Sequence, residues 1–356
     1  MSEILAAFLF LICFASVASA LENDTRVFKI YPEIKVEKAH FHNRFGIDLT
    51  GDLYMPKDFD ASKKYAAIAV AGPFGAVKEQ VSGLYAQEMA KAGFIALAFD
   101  PSFTGESGGA VRFAASPEIN TEDFSAAVDF LTTRDFIDPE KIGIIGVCGW
   151  GSIGLNAAAA DTRIQAAVVS TMYDMSSTIW HAYFLEYKVA SDISRAGAKG
   201  HSDADNADRR YETKKVINEQ RTEDYKSGTY TRAGGVVDPL PENAPQFVKD
   251  FHAYYKTPRG YHKNSVNSNE GWTLSSMIAM FNMPMLAFVE EIKSPVLIVH
   301  GENAHSRYMG EDTFKRLKGD NKELVIVPGA SHVDLYDNME KIPFAKIISF
   351  FEKNLK

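Results

Sequence analysis

Short apolar strands alternate with amphipathic helical stretches along most of this chain of 356 residues. Continuous apolar runs occupy residues 66–71, 94–99, 142–147, 166–170, 296–300 and 324–327. Such runs are typical of parallel strands, because helices on both faces of a parallel sheet exclude water from either side. Before them, Val36–Phe41 and Ile47–Tyr54 alternate apolar and polar residues, as half-buried antiparallel strands do. The pattern predicts an α/β fold with a mostly parallel central sheet flanked by helices.

The alternation is interrupted between residues 175 and 292. This stretch contains charged helical segments and a loop rich in Pro and Gly at 234–245, but no clear buried strand. It predicts a mostly helical insertion in a core formed by residues 21–174 and 293–356. Large apolar side chains recur in the insertion at Trp180, Tyr183, Phe184, Tyr187, Met277, Met280, Phe281, Met283 and Met285. Stripes of this kind more often form packing surface than a substrate pocket.

Residues 1–20 predict an export signal. An apolar stretch at 4–17 is followed by the triplet Ala-Ser-Ala ending at Ala20, and signal peptidases cut after small residues in this arrangement. Cleavage after Ala20 would leave a secreted or periplasmic chain with no stable membrane span. The alternative is an uncleaved N-terminal anchor, which also places the body of the protein outside the cytoplasm.

Composition and charge exclude several classes of protein. The formal net charge is −8 and the pI is about 5.7. Because a negatively charged protein is repelled by the phosphate backbone of nucleic acid, nucleic acid is not an expected partner. We find no ligand-spaced cluster of His, Cys and carboxylates and no glycine turn of the dinucleotide-binding form, so neither a metal nor an organic cofactor is expected. Of the two cysteines, Cys13 lies in the signal, and Cys148 remains as the one thiol of the mature chain. The oligomeric state is left open.

The most specific motif is a strand–turn–helix around Cys148. The apolar strand 142–147 runs directly into Gly149-Trp150-Gly151, with the cysteine at the apex. A sharp elbow at a nucleophile requires small neighbours, because the backbone doubles back tightly around the side chain. The following helix would direct its N-terminal amides at the sulfur, which favours thiolate over thiol, and would place the Gly149 N–H to stabilise an oxyanion. The alternative is a structural cysteine in a strand–helix turn.

On Gly146-Val147-Cys148 and the turn that follows, the chain resembles the α/β-hydrolase superfamily. Within it, the chain is similar to the cysteine-nucleophile members related to dienelactone hydrolase and to the polyketide-transferase-like hydrolases, over nearly the whole mature chain. Trp150 stands where the common G-x-S-x-G pattern has its second glycine, and Gly151 follows one place later. The resemblance implies that the insertion caps the cleft, and an apolar-lined cap implies a small-molecule acyl substrate with an apolar portion.

The base and the acid are expected on later loops. His332 follows the strand 324–327 in a short turn, and the resemblance implies that it is the catalytic base. The acid is expected after the strand 296–300, where relatives most often place an aspartate that is Ala304 here.

Three alternatives for the acid follow. Glu302 is the nearest carboxylate and the first candidate, while Asp174, after the preceding core strand, is the second. A Cys–His pair without a carboxylate is the third, because a thiol needs an orienting acid less than a hydroxyl does.

A second oxyanion donor is expected from the turn after strand 66–71. Pro73 has no N–H, so Phe74 is the expected donor, as the resemblance also implies. Glu79 lies in the next segment, and a glutamate near this loop interacts with the cysteine in dienelactone hydrolase. Glu79 is therefore either a partner of Cys148 or, more simply, a solvated loop carboxylate.

Together these residues predict a hydrolase of esters, lactones or thioesters that forms an acyl-enzyme. Cys148 would attack the acyl carbonyl, the Phe74 and Gly149 amides would hold the oxyanion, and His332 would protonate the leaving group and then activate water. An acyltransferase, in which an alcohol or amine replaces water, would use the same residues. A non-catalytic binding protein on this fold is a further alternative, disfavoured because the nucleophile and base positions are both filled.

Overall fold

The computed structural model describes residues 24–180 and 203–356. The predicted signal peptide and the aromatic residues Tyr183, Phe184 and Tyr187 lie outside the described residues, as does the side chain of Trp180.

The first half of the chain follows the alternation that its sequence predicts. In chain order the elements are β1 (Lys35–His42), β2 (Asp48–Met55), β3 (Tyr65–Ala71), α1 (Val81–Lys91), β4 (Ile95–Phe99), α2 (Pro117–Thr132), β5 (Ile137–Val147), α3 (Gly149–Ala160) and β6 (Ala166–Ser170). The start of α2 shows why a helix begins there. The Ser116 side chain accepts a hydrogen bond from the N–H of Ile119, and Pro117 follows in the first turn, where its missing N–H costs nothing.

Residues 171–295, here called the β6–β7 connection, contain helices and no named strand in their described part. These helices are α4 (Met175–Trp180), α5 (Asp203–Ser227), α6 (Gln246–Tyr255) and α7 (Val266–Glu270), with 3-10 helices at Leu274–Phe281 and Val289–Glu291. The chain then completes the core with β7 (Val296–Gly301), α8 (Arg307–Arg316), β8 (Lys322–Val327), α9 (Asp334–Asp337) and α10 (Phe344–Leu355).

The described strands form one eight-stranded sheet in the order β1-β2-β4-β3-β5-β6-β7-β8. β1 pairs with β2 and β2 with β4 in antiparallel fashion, and every other pair is parallel. The carboxyl ends of β3, β5, β6, β7 and β8 therefore meet at one edge of the sheet, where the loops that follow them can contribute side chains to a common site.

Successive side chains of β5 enter two separate cores, one on each face of the sheet. Ile144 packs in the cluster that contains Phe124 of α2, whereas Ile145 packs in the cluster that contains Met89 of α1 and Phe351 of α10. Because neighbouring strand residues point to opposite faces, a strand covered on both sides must be apolar throughout. The predicted fold class is confirmed.

Candidate active site

Cys148 stands at the apex of a sharp turn between β5 and α3. Its backbone has φ 59° and ψ −125°, a conformation that L-residues rarely adopt and that its surroundings must hold in place. A Cβ on Gly146 would lie 2.2 Å from the carbonyl oxygen of Trp150, and one on Gly151 would lie 2.4 Å from Cβ of Met172. Strand and helix approach this closely only with glycine at both positions, and the turn has the shape that the sequence predicts.

Two backbone N–H groups face the sulfur of Cys148. The amides of Gly149 and Phe74 both lie where they can donate to the sulfur, and both lower the pKa of the thiol. Gly149 belongs to the helix after Cys148, whereas Phe74 belongs to the turn after β3. Gly75 shapes that turn: its φ is 96°, and a Cβ there would lie 3.0 Å from the ring of Trp272. One donor from each loop is the arrangement that holds the oxygen of an attacked carbonyl.

The Cys148 thiol is protonated at neutral pH. The residue is 6% exposed, and burial raises the pKa of its thiol to about 11. The Tyr336 phenol and the two backbone amides, which can donate to a thiolate, oppose this shift without cancelling it. The expectation of a thiolate was wrong. Burial destabilises the charged thiolate by more free energy than the N-terminus of the helix contributes in its favour, so the pKa of the thiol rises. The thiol must therefore lose its proton during any reaction, which requires a base.

His332 lies in the loop after β8 with a hydroxyl group at each ring nitrogen. Its Nδ1 is 2.7 Å from Oγ of Ser306, and its Nε2 is 3.1 Å from the phenol oxygen of Tyr336. Burial lowers the pKa of His332 well below its ordinary value, and the neighbouring His305 and His300 lower it further. The imidazole is therefore neutral and can accept a proton at one nitrogen.

The structure places neither predicted acid at the imidazole. Glu302 is exposed and accepts a hydrogen bond from the N–H of Gly329, with oxygen and nitrogen 2.8 Å apart. Asp174 caps helix α4, its Oδ1 accepting from two N–H groups of the first turn at 3.1 and 3.2 Å. The place beside Nδ1 of His332, where the acid is expected to bind the imidazole, is occupied by the Ser306 hydroxyl. The prediction of Glu302 is corrected here: its side chain turns toward the loop after β8 rather than into the site.

Tyr336 is the site residue that sequence reasoning missed. Its side chain is fully buried, and its phenol interacts with the Cys148 thiol, with Nε2 of His332 and with the Tyr255 phenol. The separation between Tyr336 and His332 in the sequence could have identified it. Tyr336 follows His332 by four residues, which places both side chains on one face of a helical turn.

Aromatic rings from the β6–β7 connection cover the site. Phe251 of α6 lies edge-on to the ring of His332 with centroids 5.5 Å apart, and Phe247 of the same helix lies 4.6 Å from the ring of His305. Trp272 stacks on Phe74 at 4.5 Å. The imidazole under this cover is 1% exposed, and a site with little water strengthens the electrostatic interactions within it.

Two polar contacts also join the β6–β7 connection to the loop of Phe74. The Gln80 side-chain amide donates to the carbonyl of Gly260 at 2.6 Å, and the Ser265 hydroxyl donates to the carbonyl of Gly75 at 2.9 Å. The connection is therefore attached directly to the segment that carries Phe74.

A cluster of charged side chains around the buried Lys78 lies next to the loop that carries Phe74. Lys78 has no exposed surface, and its Nζ lies 2.7 Å from Glu79, 2.9 Å from Asp100 and 2.7 Å from Glu106. The backbone N–H of Lys78 also donates to Asp100 at 2.8 Å. Glu79 is thus neither a solvated carboxylate nor, among its described contacts, a partner of Cys148. It is buried and pairs with the adjacent lysine.

The described residues include no group of three or more His, Cys, Asp or Glu side chains arranged to hold a metal ion. In the same part of the chain, no helix is both long and apolar enough to cross a membrane.

A sharp strand–helix turn at the carboxyl edge of a helix-covered parallel sheet, with a histidine from the loop after the last strand, is the arrangement of an α/β hydrolase. This chain belongs to the X-Pro dipeptidyl-peptidase (S15) family, whose profile matches residues 46–334. The resemblance to the α/β-hydrolase superfamily is confirmed.

Individual proteins extend the comparison. Protein PA2218 of Pseudomonas aeruginosa is 46% identical over 331 residues, which cover 93% of this chain and 84% of PA2218. Its crystal structure matches with a TM-score of 0.83 at 45% identity, covering 93% of this chain and 97% of that one. Thiohydrolase aneE of Aspergillus aculeatus is 37% identical over 123 residues, 35% of this chain and 37% of aneE. The α/β hydrolase GrgF from a Penicillium species shares the fold, with a TM-score of 0.70 at 18% identity over 90% of this chain and 99% of GrgF.

Proposed function

We propose that this protein hydrolyses esters, lactones or thioesters through an acyl-enzyme on Cys148. The observation that carries the proposal is the pair of N–H donors, Phe74 and Gly149, on the one thiol that stands at a strained elbow. Attack of the sulfur forms a C–S bond and moves charge to the carbonyl oxygen, which these donors stabilise. His332 takes up the thiol proton, returns it to the leaving group and then activates water.

The surroundings of His332 favour substrates with good leaving groups. The imidazole has hydroxyl partners and no carboxylate among its described contacts, so nothing offsets the cost of charging it in a buried site. A thiolate, an aryl oxide or an enolate departs with little help from an acid, whereas an amine must be protonated. This difference supports esters and thioesters, and the name of the relative aneE, a thiohydrolase, points the same way.

The substrate is expected to carry an apolar acyl or aryl portion. Phe247, Phe251 and Trp272 present ring surface beside His305, His332 and Phe74. Burying such a portion against these rings would both bind the substrate and displace water from the reacting carbonyl. In this proposal the β6–β7 connection acts as a cap that selects the acyl group.

Two other functions have specific support. The family profile is named for X-Pro dipeptidyl peptidases, which favours a peptide substrate. The aromatic cover over His332 favours an acyltransferase, because a site that excludes water gives an alcohol or amine acceptor the advantage in resolving the acyl-enzyme.

Trapping the acyl-enzyme tests the proposal and separates these functions. The protein is incubated with a short-chain p-nitrophenyl ester, the matching aryl thioester and a Gly-Pro p-nitroanilide, and is quenched in acid for peptide mass spectrometry. We expect the acyl mass on the peptide that contains Cys148, formed from the ester and thioester and absent in Cys148→Ala. Acylation elsewhere, or equal release by Cys148→Ala, would contradict the mechanism. Release of nitroaniline faster than release of the ester and thioester leaving groups would indicate a peptidase. Formation of a new ester with an added alcohol would indicate an acyltransferase.

We further propose that the protein acts outside the cytoplasm after removal of residues 1–20. The support is the apolar segment and the small residues that end at Ala20. Expression in a bacterium with its native N-terminus is expected to yield a periplasmic or secreted chain that begins at Leu21. N-terminal mass spectrometry checks this, and a cytoplasmic chain that keeps residues 1–20 would contradict it.

A further inference from the structure

The phenol of Tyr336 occupies the place where a hydrolase normally has a direct hydrogen bond between nucleophile and base. It interacts with the Cys148 thiol on one side and lies 3.1 Å from Nε2 of His332 on the other. Within residues 24–180 and 203–356, no hydrogen bond joins the thiol directly to the imidazole. The two predicted reactive groups are therefore connected through one hydroxyl group.

Cys148, Tyr336, His332 and Ser306 form a row of side chains, and the proton positions along this row follow from the hydrogen-bonding capacity of each group. Ser306 sits 2.7 Å from Nδ1 of His332, so the hydroxyl oxygen can accept the Nδ1 proton and leave Nε2 as an acceptor. The Tyr336 phenol can then donate to Nε2 while its oxygen accepts from the thiol. Burial and the charges of Cys148 and Tyr255 hold the pKa of the phenol well above its ordinary value, so the hydroxyl keeps a proton in the resting site.

We propose that Tyr336 is a catalytic residue that relays the proton between Cys148 and His332. As the sulfur attacks, the S–H bond breaks and its proton passes to the phenol oxygen, while the phenol's own proton passes to Nε2. The products are a C–S bond, an oxyanion formed as the carbonyl π bond breaks, a neutral phenol and an imidazolium, so protons and charge balance without another reactant. In the reverse direction the same phenol delivers the proton to the leaving group, and water later supplies a proton along the same row.

The surroundings hold the phenol in this position. The side chain of Tyr336 is fully buried, the Tyr254 ring packs edge-on against it at 5.1 Å, and the Tyr255 ring packs edge-on against it at 6.2 Å. Tyr254 and Tyr255 belong to α6 of the β6–β7 connection. A rigid donor between two reacting groups is what a proton relay requires, because transfer needs hydrogen-bond distances on both sides.

This inference rests on the proposed function, and Tyr336→Phe tests it with Tyr254→Phe as the matched control. Both changes remove one phenol oxygen from adjacent buried rings, but only Tyr336 contacts the thiol and the imidazole. For a substrate that the unaltered protein turns over, we expect kcat/KM of Tyr336→Phe to fall by about 10² or more, mainly in kcat. Tyr254→Phe should stay within about threefold.

Alkylation of Cys148 by iodoacetamide between pH 7 and 10 provides a readout that needs no substrate. Because the relay carries the thiol proton away and leaves the phenol O–H facing the thiolate, removal of the phenol should slow alkylation several-fold at each pH, whereas Tyr254→Phe should not change the rate. Unchanged turnover in Tyr336→Phe, or faster alkylation as His332 closes directly on the sulfur, would overturn the relay. If no substrate of the panel is turned over, the proposed function fails by itself, and the alkylation rates alone decide whether Tyr336 acts on the thiol.

Discussion

Turnover of an aryl ester by the His332→Gln variant is expected to be about 10² to 10⁴ lower than that of the unaltered protein. Glutamine can retain hydrogen bonds with Ser306 and Tyr336, but it cannot accept a proton. Because burial raises the pKa of the Cys148 thiol to about 11, the sulfur depends on a base at neutral pH. Steady-state rates at pH 7 to 8 measure the effect.

His305→Gln is the matched control for this change. His305 is half-buried beside the site, with its ring 5.1 Å from that of His332, and its Nε2 forms a hydrogen bond with the Tyr173 phenol. We expect it to lose less than about tenfold in kcat/KM, through small shifts in packing. Equal losses in the two variants would show that the effect comes from packing and that His332 is not the base.

Replacing Lys78 by methionine is expected to lower the free energy of unfolding by about 3–5 kcal/mol. The change removes the positive charge from a fully buried nitrogen and leaves Glu79 and Asp100 without their cation. Uncompensated buried carboxylates are costly, even though the intact pair adds little over an apolar replacement. Urea unfolding followed by tryptophan fluorescence or circular dichroism measures the difference.

Lys226→Met is the control, because Lys226 also lies 2.7 Å from a glutamate but is about two-thirds exposed, and an exposed pair contributes little. A second check uses pH. Burial already raises the pKa of Asp100 to about 6 against the opposing charge of Lys78, and loss of that charge raises it further. A carboxyl with a raised folded-state pKa stabilises the fold at low pH and loses that contribution as the pH rises. The deficit of Lys78→Met should therefore be larger at about pH 8 than at about pH 5; a deficit independent of pH would argue against buried carboxylates as its cause.

The fold was predictable because periodicity carries information about both faces of a strand. The unbroken apolar run around Ile144 and Ile145 requires cover on two sides, and the structure supplies a separate core for each. The elbow was predictable for a similar reason: Gly146 and Gly151 sit where any side chain would collide with the neighbouring backbone or with Met172.

The site was only partly predictable, because residue type and spacing do not show which way a side chain turns. Glu302 and Ser306 share one loop, and the carboxylate turns to Gly329 while the hydroxyl reaches the imidazole. Nor does a helix start reveal how deeply a thiol is buried, so the protonation state of Cys148 could not be judged from glycines and a helix dipole. Desolvation depends on neighbours such as Tyr336, which only the folded chain assembles.

The attachment of the β6–β7 connection to the loop of Phe74 has an evolutionary consequence. The ring of Trp272 stacks on Phe74, and the Ser265 hydroxyl holds the carbonyl of Gly75. Under the proposed function, a segment that selects the acyl group is thereby joined to an amide that stabilises the charge of the reaction. Specificity and rate would then be coupled in this molecule, and a chimera that carries the connection of a distant homologue would also have a shifted Phe74 amide. New substrates are more readily reached by exchanging single rings such as Phe247 than by grafting the whole segment.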